Sequence, residues 1–262
     1  MIESTAVAAW AGLGVAVALM TAVWAASVVW RDASLVDRYW GAGFVVLAWF
    51  WFAVSDSSLA ALVPLALVSV WGLRLSLYLT WRNWGHGEDP RYRAMREQHG
   101  ETFVWRSLVT VFLLQGAILW LVAMPLLVAV RELDAAALAA WPAVLGMGVF
   151  AIGLAFEAVG DWQLARFKAR PGNAGKVMDR GLWRYTRHPN YFGDILVWWG
   201  LFGVALAAGG WWTLFAPAIM TFLLARVSGV TLLERRLHET RPAYRDYVAR
   251  TNALVPWFPR EG

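Results

Sequence analysis

Apolar windows of membrane-spanning length recur along the whole chain of 262 residues. A helix needs roughly 17–25 apolar residues to cross a hydrocarbon core of about 30 Å, and backbone that faces lipid must satisfy its hydrogen bonds within the helix. We predict such segments at about 5–29, 39–54, 59–81, 107–130, 137–160, 192–208 and 211–233. The sequence therefore predicts an all-α integral membrane protein with seven transmembrane helices.

Composition supports a membrane location and excludes several kinds of site. Only 16% of the residues are charged, whereas a soluble domain carries about 25%. The chain has no cysteine, which excludes disulfides and cysteine metal sites, and its four histidines form no H-x-x-x-H pair. We therefore expect no metal. The net charge of +5 is explained by basic residues beside the membrane, so we expect no nucleic-acid partner.

The distribution of basic residues predicts the orientation. Apart from Arg74 and Arg131, the lysines and arginines lie in the loops after the first, third and fifth segments or from Arg226 onward. The positive-inside rule then gives an outside N-terminus and a cytoplasmic C-terminus in a multi-pass membrane protein, of the inner membrane if bacterial. No linker or repeat interrupts the chain, so a single membrane domain, 1–262, is predicted.

Glycines along two of the predicted helices permit close helix packing. They are Gly146, Gly148 and Gly153 in the fifth segment and Gly200 and Gly203 in the sixth segment. From sequence alone, this packing could occur within one chain or between two chains.

Polar residues are concentrated in RYTRHPNYFGD, residues 184–194, immediately before the apolar run ILVWWGLFGVAL of the sixth segment. Pro189 suits the first position of a helix because its missing N–H has no helical partner there, and His188 would precede it as the cap. A helix N-terminus beside Arg184 and Arg187 favours phosphate groups. The turn is therefore a candidate site for a phosphate-bearing ligand.

Four predicted helices carry polar groups at helical spacing. These are Asn190, Asp194 and Trp198; Glu157 and Asp161; Arg74 and Tyr78; and Arg226 and Glu234. Carboxylates at bilayer depth are costly and usually face a cavity or a partner. A pocket for a nucleotide is predicted, facing the cytoplasm, with arginines and Lys168 or Lys176 for phosphates. It is not a Rossmann site, because GLGVAV at 12–17 lacks the third glycine and a preceding strand.

The stretch 156–200, FEAVGDWQLARFKARPGNAGKVMDRGLWRYTRHPNYFGDILVWWG, resembles the C-terminal signature of the steroid 5α-reductase-like membrane reductases. GEDPRY at 87–92 and the tail ending in ALVPWFP add weaker similarity. The resemblance implies seven helices, NADPH held by about 150–262, and a lipophilic substrate that enters from the bilayer. It implies hydride transfer to the β-carbon of an enone, typically reducing the C4=C5 bond of a 3-oxo-Δ4 steroid.

The resemblance and the polar pattern together give the candidate NADPH-binding residues. They are Arg74, Tyr78, Asp161, Lys168, Asn173, Lys176, Tyr185, Arg187, His188, Asn190, Asp194, Trp198, Arg226 and Glu234. Lys168 and Lys176 stand where the family commonly has arginine. Glu234 stands where the animal steroid reductases have a tyrosine, so the resemblance assigns no role to its carboxylate.

The reaction also needs an acid or hydrogen-bond donor at the substrate carbonyl. The animal enzymes use a glutamate and a tyrosine, and their ungapped equivalents here are Asp37 and Trp71. An indole is no useful proton donor, so Tyr39 or Tyr78 takes the phenol's role, or Asp37 acts alone when protonated. The alternative for Asp37 is a helix cap or an ion pair with Arg38.

Two other classes of protein remain as alternatives. Membrane methyltransferases that act on isoprenylcysteine or phospholipids share the R-H-P-x-Y-x-G turn and bind S-adenosylmethionine there. They usually carry paired glutamates in the last helix, whereas Glu234 here is followed by Arg235. A lipid-binding or scaffold module without activity is the other alternative. The intact Asp161, Asn190 and Asp194 argue against it, because intramembrane carboxylates are costly.

Overall fold

The computed structural model describes residues 1–227, 230, 234, 237, 241 and 243–260. Helix accounts for 80% of it, and the described residues include no strand. The chain forms two compact units. Unit 1 comprises Met1–Ala140 and Ala205–Thr213, and unit 2 comprises Trp141–Val204 and Leu214–Gly262.

Unit 1 contains eight of the described α-helices. They are α1 Thr5–Trp30, α2 Leu35–Val54, α3 Leu62–Asn83, α4 Pro90–His99, α5 Phe103–Ser107, α6 Leu114–Val122, α7 Met124–Glu132 and α8 Ala135–Ala139. A π-helical stretch, Leu108–Leu113, joins α5 to α6. The predicted fourth segment breaks at Ala123, because Pro125 suits the start of a new helix, α7.

Unit 2 is built on two long helices and their connecting loop. Its helices are α9 Trp141–Lys168, α10 Pro189–Ala207, α11 Phe215–Phe222 and α12 Tyr244–Arg250. The last residues of α10, from Ala205 onward, belong to unit 1. A π-helical stretch, Leu223–Val227, follows α11. Single 3-10 turns at Pro171–Asn173 and Gly181–Arg184 shape the loop between α9 and α10.

The described residues of the predicted apolar segments are mostly helical, with breaks at Ala123 and Ala140. Residues 228, 229 and 231–233 of the seventh segment lie outside the described residues. Five helices are long and apolar enough to cross a membrane. These five are Thr5–Trp30, Leu59–Asn83, Pro90–Val122, Trp141–Lys168 and Pro189–Ala207, while Trp211–Val227 is a shorter apolar helix. The protein is therefore a multi-pass membrane protein. Seven crossings and the orientation of the termini stay predictions.

Close backbone approaches hold the helices of unit 1 together. The Trp51 indole N–H donates to the Ala8 carbonyl at 2.9 Å, and a Cβ added at Gly12 would lie 2.6 Å from the Trp51 ring. Where α2 crosses α3, a Cβ at Gly41 would lie 2.4 Å from the Gly72 carbonyl oxygen. Small residues are therefore required where these helices meet.

In unit 2, glycines hold α9 against α10. A Cβ at Gly146 would lie 2.6 Å from the Gly200 carbonyl oxygen, and a Cβ at Gly153 would lie 2.6 Å from the Gly193 carbonyl oxygen. These glycines therefore serve packing within the chain. Gly148 has open space on its Cβ side.

The glycine contacts give a direct test of this packing. Gly146→Leu should lower Tm in detergent, because a side chain would have to displace the α10 backbone, and overpacking typically costs about 1–3 kcal/mol or more. Gly148→Leu, two residues along the same helix, should leave Tm unchanged or raise it. Equal Tm values for the two variants would contradict the α9–α10 packing.

Candidate functional site

The RYTRHP turn leads directly into a helix, as the sequence predicted. Pro189 is the first residue of α10, and the Phe192 N–H donates to the His188 carbonyl at 3.0 Å. The His188 N–H contacts the Thr186 hydroxyl at 3.3 Å. The first turn of α10 is therefore preorganised by the residues before it.

A buried ion cluster fixes the start of α10. The Arg187 guanidinium binds both oxygens of Glu234, with distances of 2.8 Å from Nε and 3.1 Å from Nη2. Its Nη1 donates to the carbonyls of Thr251 and Val248. His188 Nε2 lies 3.0 Å from Glu234 Oε1. Glu234 is therefore the shared acceptor for two adjacent residues of the turn.

The C-terminal tail, comprising α12 and residues 251–258, covers the same turn. The Arg187 N–H donates to the Asn252 carbonyl and the Trp257 N–H to the Tyr185 carbonyl, both at 2.9 Å. The Thr186 hydroxyl donates to the Leu254 carbonyl at 2.8 Å. The tail thus holds the backbone of the turn along its length.

The ion cluster sets the protonation states of its members. Burial alone would raise the pKa of Glu234, but the hydrogen bonds from His188 and Arg187 lower that pKa to about 2. Burial lowers the pKa of His188, although Glu234 opposes the shift. Neutral His188 donates Nε2–H to the carboxylate, so Nδ1 is an acceptor. His188 is 1% exposed, and its Nδ1 has no hydrogen-bond partner among the described residues.

A polar face runs along α9 and α10, as the four-residue spacing predicted. Glu157, Asp161, Asp194 and Trp198 are buried. The Asn190 amide donates to Asp161 Oδ1 at 3.3 Å. Asn190 Oδ1 is buried with no hydrogen-bond partner in the described part of the chain. With His188 Nδ1, unit 2 therefore has two buried acceptors that match donors on a ligand.

The end of α9 and the loop that follows it form an open cavity of about 260 Å³. Arg166, Arg170 and Arg180 line it together with Trp162 and Asn173. Arg166 lies over the Trp162 ring at 5.4 Å. None of the three arginines forms an ion pair with a residue that the structure describes. Arginine forks bind phosphate bidentately, so this cavity is suited to a phosphate-bearing ligand.

The arginines of this cavity were missed from sequence. Asn173 was predicted and lines the cavity, with its amide donating to the Phe167 carbonyl at 2.9 Å. Lys168 and Lys176, predicted for phosphate, are exposed and are not among the residues that line it. The available signal was the four-residue spacing of Arg166, in the last turn of α9, and Arg170, two residues beyond the helix.

A second polar cluster lies in unit 1, around Asp37. Arg91 Nη2 donates to Asp37 Oδ2 at 2.7 Å, and the Tyr92 hydroxyl donates to Asp37 Oδ1 at 2.9 Å. The Gln115 amide reaches the Tyr92 oxygen at 3.4 Å. Tyr92 is 6% exposed. Asp37 is thus held by one cation and one phenol.

Tyr92 is a residue that sequence reasoning did not select. Tyr39 and Tyr78 were the predicted phenols; Tyr39 is exposed, and the Tyr78 ring packs beside Trp81. The ion pair of Asp37 with Arg38 that sequence allowed is not formed, because Arg38 binds Asp32 at 2.7 Å while Arg91 binds Asp37. The sequence feature that could have identified Tyr92 is its position in GEDPRY, the stretch 87–92 that resembles the reductase family.

The other predicted residues are distributed over both units. Arg74 is half-buried on α3 in unit 1, whereas Arg226 is exposed in unit 2. The partly exposed Tyr185 ring meets Phe258 of the tail edge-on, with centroids 6.1 Å apart. The described residues include no group of three His, Cys, Asp or Glu able to hold a metal ion.

Comparison with known proteins identifies the family. A family model with the description "Protein of unknown function (DUF1295)" matches residues 23–251, so the chain belongs to this family. The family includes steroid 5α-reductase-like membrane proteins. The probable O-methyltransferase ustE of Ustilaginoidea virens is 42% identical over 65 residues, which cover 25% of this chain. That match spans 22% of the relative's length. No solved structure matches the chain.

The lowered pKa of Glu234 predicts a pH dependence of stability. The folded pKa lies below the ordinary value of 4.5, so the stabilisation is fully present above about pH 4.5 and is lost as the pH falls toward 2. Glu234→Gln should therefore lower Tm most above pH 5, and its Tm should approach that of the wild type as the pH falls from 4.5 toward 2. A constant difference in Tm across this range would contradict the ion cluster.

Proposed function

We propose that this protein is a membrane reductase that uses NADPH to reduce the C=C bond of a lipophilic enone. The C4=C5 bond of a 3-oxo-Δ4 steroid is the type of bond that it acts on. The observation that carries the proposal is the cavity lined by three arginines. NADPH bears a pyrophosphate and a further phosphate, whereas S-adenosylmethionine bears no phosphate.

The remaining groups of unit 2 fit the same cofactor. Arg166, Arg170 and Arg180 bind phosphate oxygens through charge-assisted hydrogen bonds. Asn190 Oδ1 and His188 Nδ1, both buried acceptors, receive hydrogen bonds from hydroxyl or carboxamide groups. Glu234 keeps His188 in the tautomer that leaves Nδ1 as an acceptor. When bound, NADPH supplies the hydride.

The phosphate assignment predicts the effect of removing one arginine. Arg180→Ala should raise the Kd for NADPH about tenfold, since a lost charge-assisted hydrogen bond is worth about 1.5–3 kcal/mol. Arg245→Ala removes an equally exposed arginine on α12 and should leave the Kd unchanged. Titration calorimetry of the purified chain measures both values. An unchanged Kd in Arg180→Ala would show that the cavity is not part of the cofactor site.

The proposed proton chemistry lies with Tyr92 and Asp37. Negative charge that develops on the carbonyl oxygen of a bound enone is stabilised by a hydrogen bond from the Tyr92 hydroxyl. The Tyr92 hydroxyl has only one proton to donate, so its hydrogen bond to Asp37 Oδ1 breaks when it donates to the substrate oxygen. The ion pair with Arg91 then keeps the Asp37 carboxylate in place. Asp37 acts as a positioning residue, and Gln115 orients the phenol. A proton from solvent at the α-carbon completes the saturated ketone.

Turnover tests this proposal. The detergent-purified chain is incubated with NADPH and progesterone, and we expect oxidation of NADPH together with the 5α-dihydro product. Tyr92→Phe should lower kcat by about 10²-fold or more while the Kd for NADPH stays at the wild-type value. Wild-type kcat in Tyr92→Phe would exclude the phenol from the chemistry. NADPH binding without turnover of any enone would contradict the reaction.

The second candidate is a methyltransferase. The R-H-P-x-Y-x-G turn supports it, and the 65-residue similarity to the probable O-methyltransferase ustE makes S-adenosylmethionine a ligand to test. The same purified chain is therefore titrated with S-adenosylmethionine. Binding of S-adenosylmethionine in the absence of NADPH binding would replace the reductase proposal with this one.

A further inference from the structure

Unit 1 contains a second cavity, separate from the Asp37 cluster and not used in the proposed reaction. Its volume is about 490 Å³, within the range of small-molecule sites. It lies between the end of α1 and the stretch from α4 to the π-helical turn. The lining residues that decide its chemistry are Ser27, Arg31, Arg96, Glu101, Phe103 and Ser107.

The cavity has one uncompensated cation, Arg31. Arg31 ends α1 in a left-handed conformation with φ 52°, and it forms no ion pair with any residue that the structure describes. Arg96 is different, because it binds Glu88 at 3.0 and 2.7 Å and lies over Phe103 at 4.5 Å. An anionic group of a ligand therefore belongs on Arg31.

The other polar groups of the cavity accept hydrogen bonds. The Ser27 hydroxyl donates its proton to the Trp24 carbonyl at 2.7 Å, and the Ser107 hydroxyl donates to the Val104 carbonyl at 2.8 Å. Both oxygens are left with lone pairs only, and the carboxylate of Glu101 is likewise an acceptor. The complementary ligand combines an anion with a cationic group that donates several hydrogen bonds.

The surroundings of the cavity indicate a lipid. Trp30 is 65% exposed and Trp105 is 69% exposed, and Trp24 lies against Trp105 with centroids 5.4 Å apart. Exposed tryptophans at the end of a membrane-length helix are typical of the membrane–water interface. A soluble ligand would gain nothing from them, whereas acyl chains would lie along them.

We propose that this cavity binds the headgroup of a phospholipid that carries a primary ammonium group. The phosphate lies on Arg31, and the ammonium donates to Glu101, Ser27 and Ser107. A choline headgroup has no N–H to donate, and a glycerol headgroup has no cation for Glu101. The cavity therefore selects phosphatidylethanolamine over phosphatidylcholine and phosphatidylglycerol.

Native mass spectrometry of the full chain in detergent tests the selectivity. Phosphatidylethanolamine, phosphatidylcholine and phosphatidylglycerol with identical acyl chains are added at equal concentration. We expect about tenfold or greater retention of phosphatidylethanolamine, the size of a single charge-assisted hydrogen bond. Equal retention of the three lipids would overturn the proposal.

Matched variants test the contacts to the ammonium and to the phosphate of the headgroup independently. Glu101→Gln should abolish the preference over phosphatidylcholine, whereas Glu97→Gln, one turn earlier and exposed, should keep it. Arg31→Asn retains a residue that tolerates the left-handed backbone, and it should lower retention of all three lipids, unlike Arg82→Ala. A preference that survives Glu101→Gln, or retention that survives Arg31→Asn, would contradict the site.

Free phosphoethanolamine distinguishes a lipid from a soluble ligand. It carries the same two charged groups without acyl chains. We expect it to displace bound phosphatidylethanolamine only at a concentration at least about 100-fold higher, because the apolar contacts are missing. Displacement at equal concentration would assign the cavity to a soluble compound. None of these measurements depends on the proposed reductase activity.

Discussion

The ion pair between Arg187 and Glu234 organises the polar end of unit 2. Its side chains are largely buried, at 9% and 16% exposure, and a charge buried without its partner costs about 3–5 kcal/mol. Glu234 also accepts from His188, so one carboxylate orients the cation and the imidazole that precede Pro189. The start of α10, the tautomer of His188 and the position of the tail all depend on it.

Helix positions and local geometry were predictable from sequence because they depend on neighbouring residues. The apolar windows gave the helices, Pro189 gave the start of α10, and the four-residue spacing brought Asn190 to the side of α10 that meets Asp161. The partners of Arg187 were not predictable in this way. Glu234 is 47 positions away, and no periodicity relates a turn to a distant carboxylate.

The polar cluster of unit 1 shows the same limit. Tyr92 lies 55 positions from Asp37, and only packing of α4 against the start of α2 brings the phenol to the carboxylate. Ungapped comparison with the family places Trp71, and not Tyr92, at the position of the family tyrosine. Trp71 is buried. The arginine cavity likewise depends on how the loop between α9 and α10 folds back, which composition does not determine. In both cases the residue types could be read from the sequence, but the residues that they contact could not be predicted from it.

Unit 1 has the Asp37 cluster at the start of α2, and unit 2 has the Arg187–Glu234 ion pair at the start of α10. We propose that unit 2 holds a phosphate-bearing nucleotide beside the start of α10. The most direct test is to purify the chain under mild conditions without added nucleotide, denature it, and identify the released small molecules by mass. We expect NADP⁺ or NADPH at up to one per chain. Release of S-adenosylmethionine or its demethylated product would contradict it.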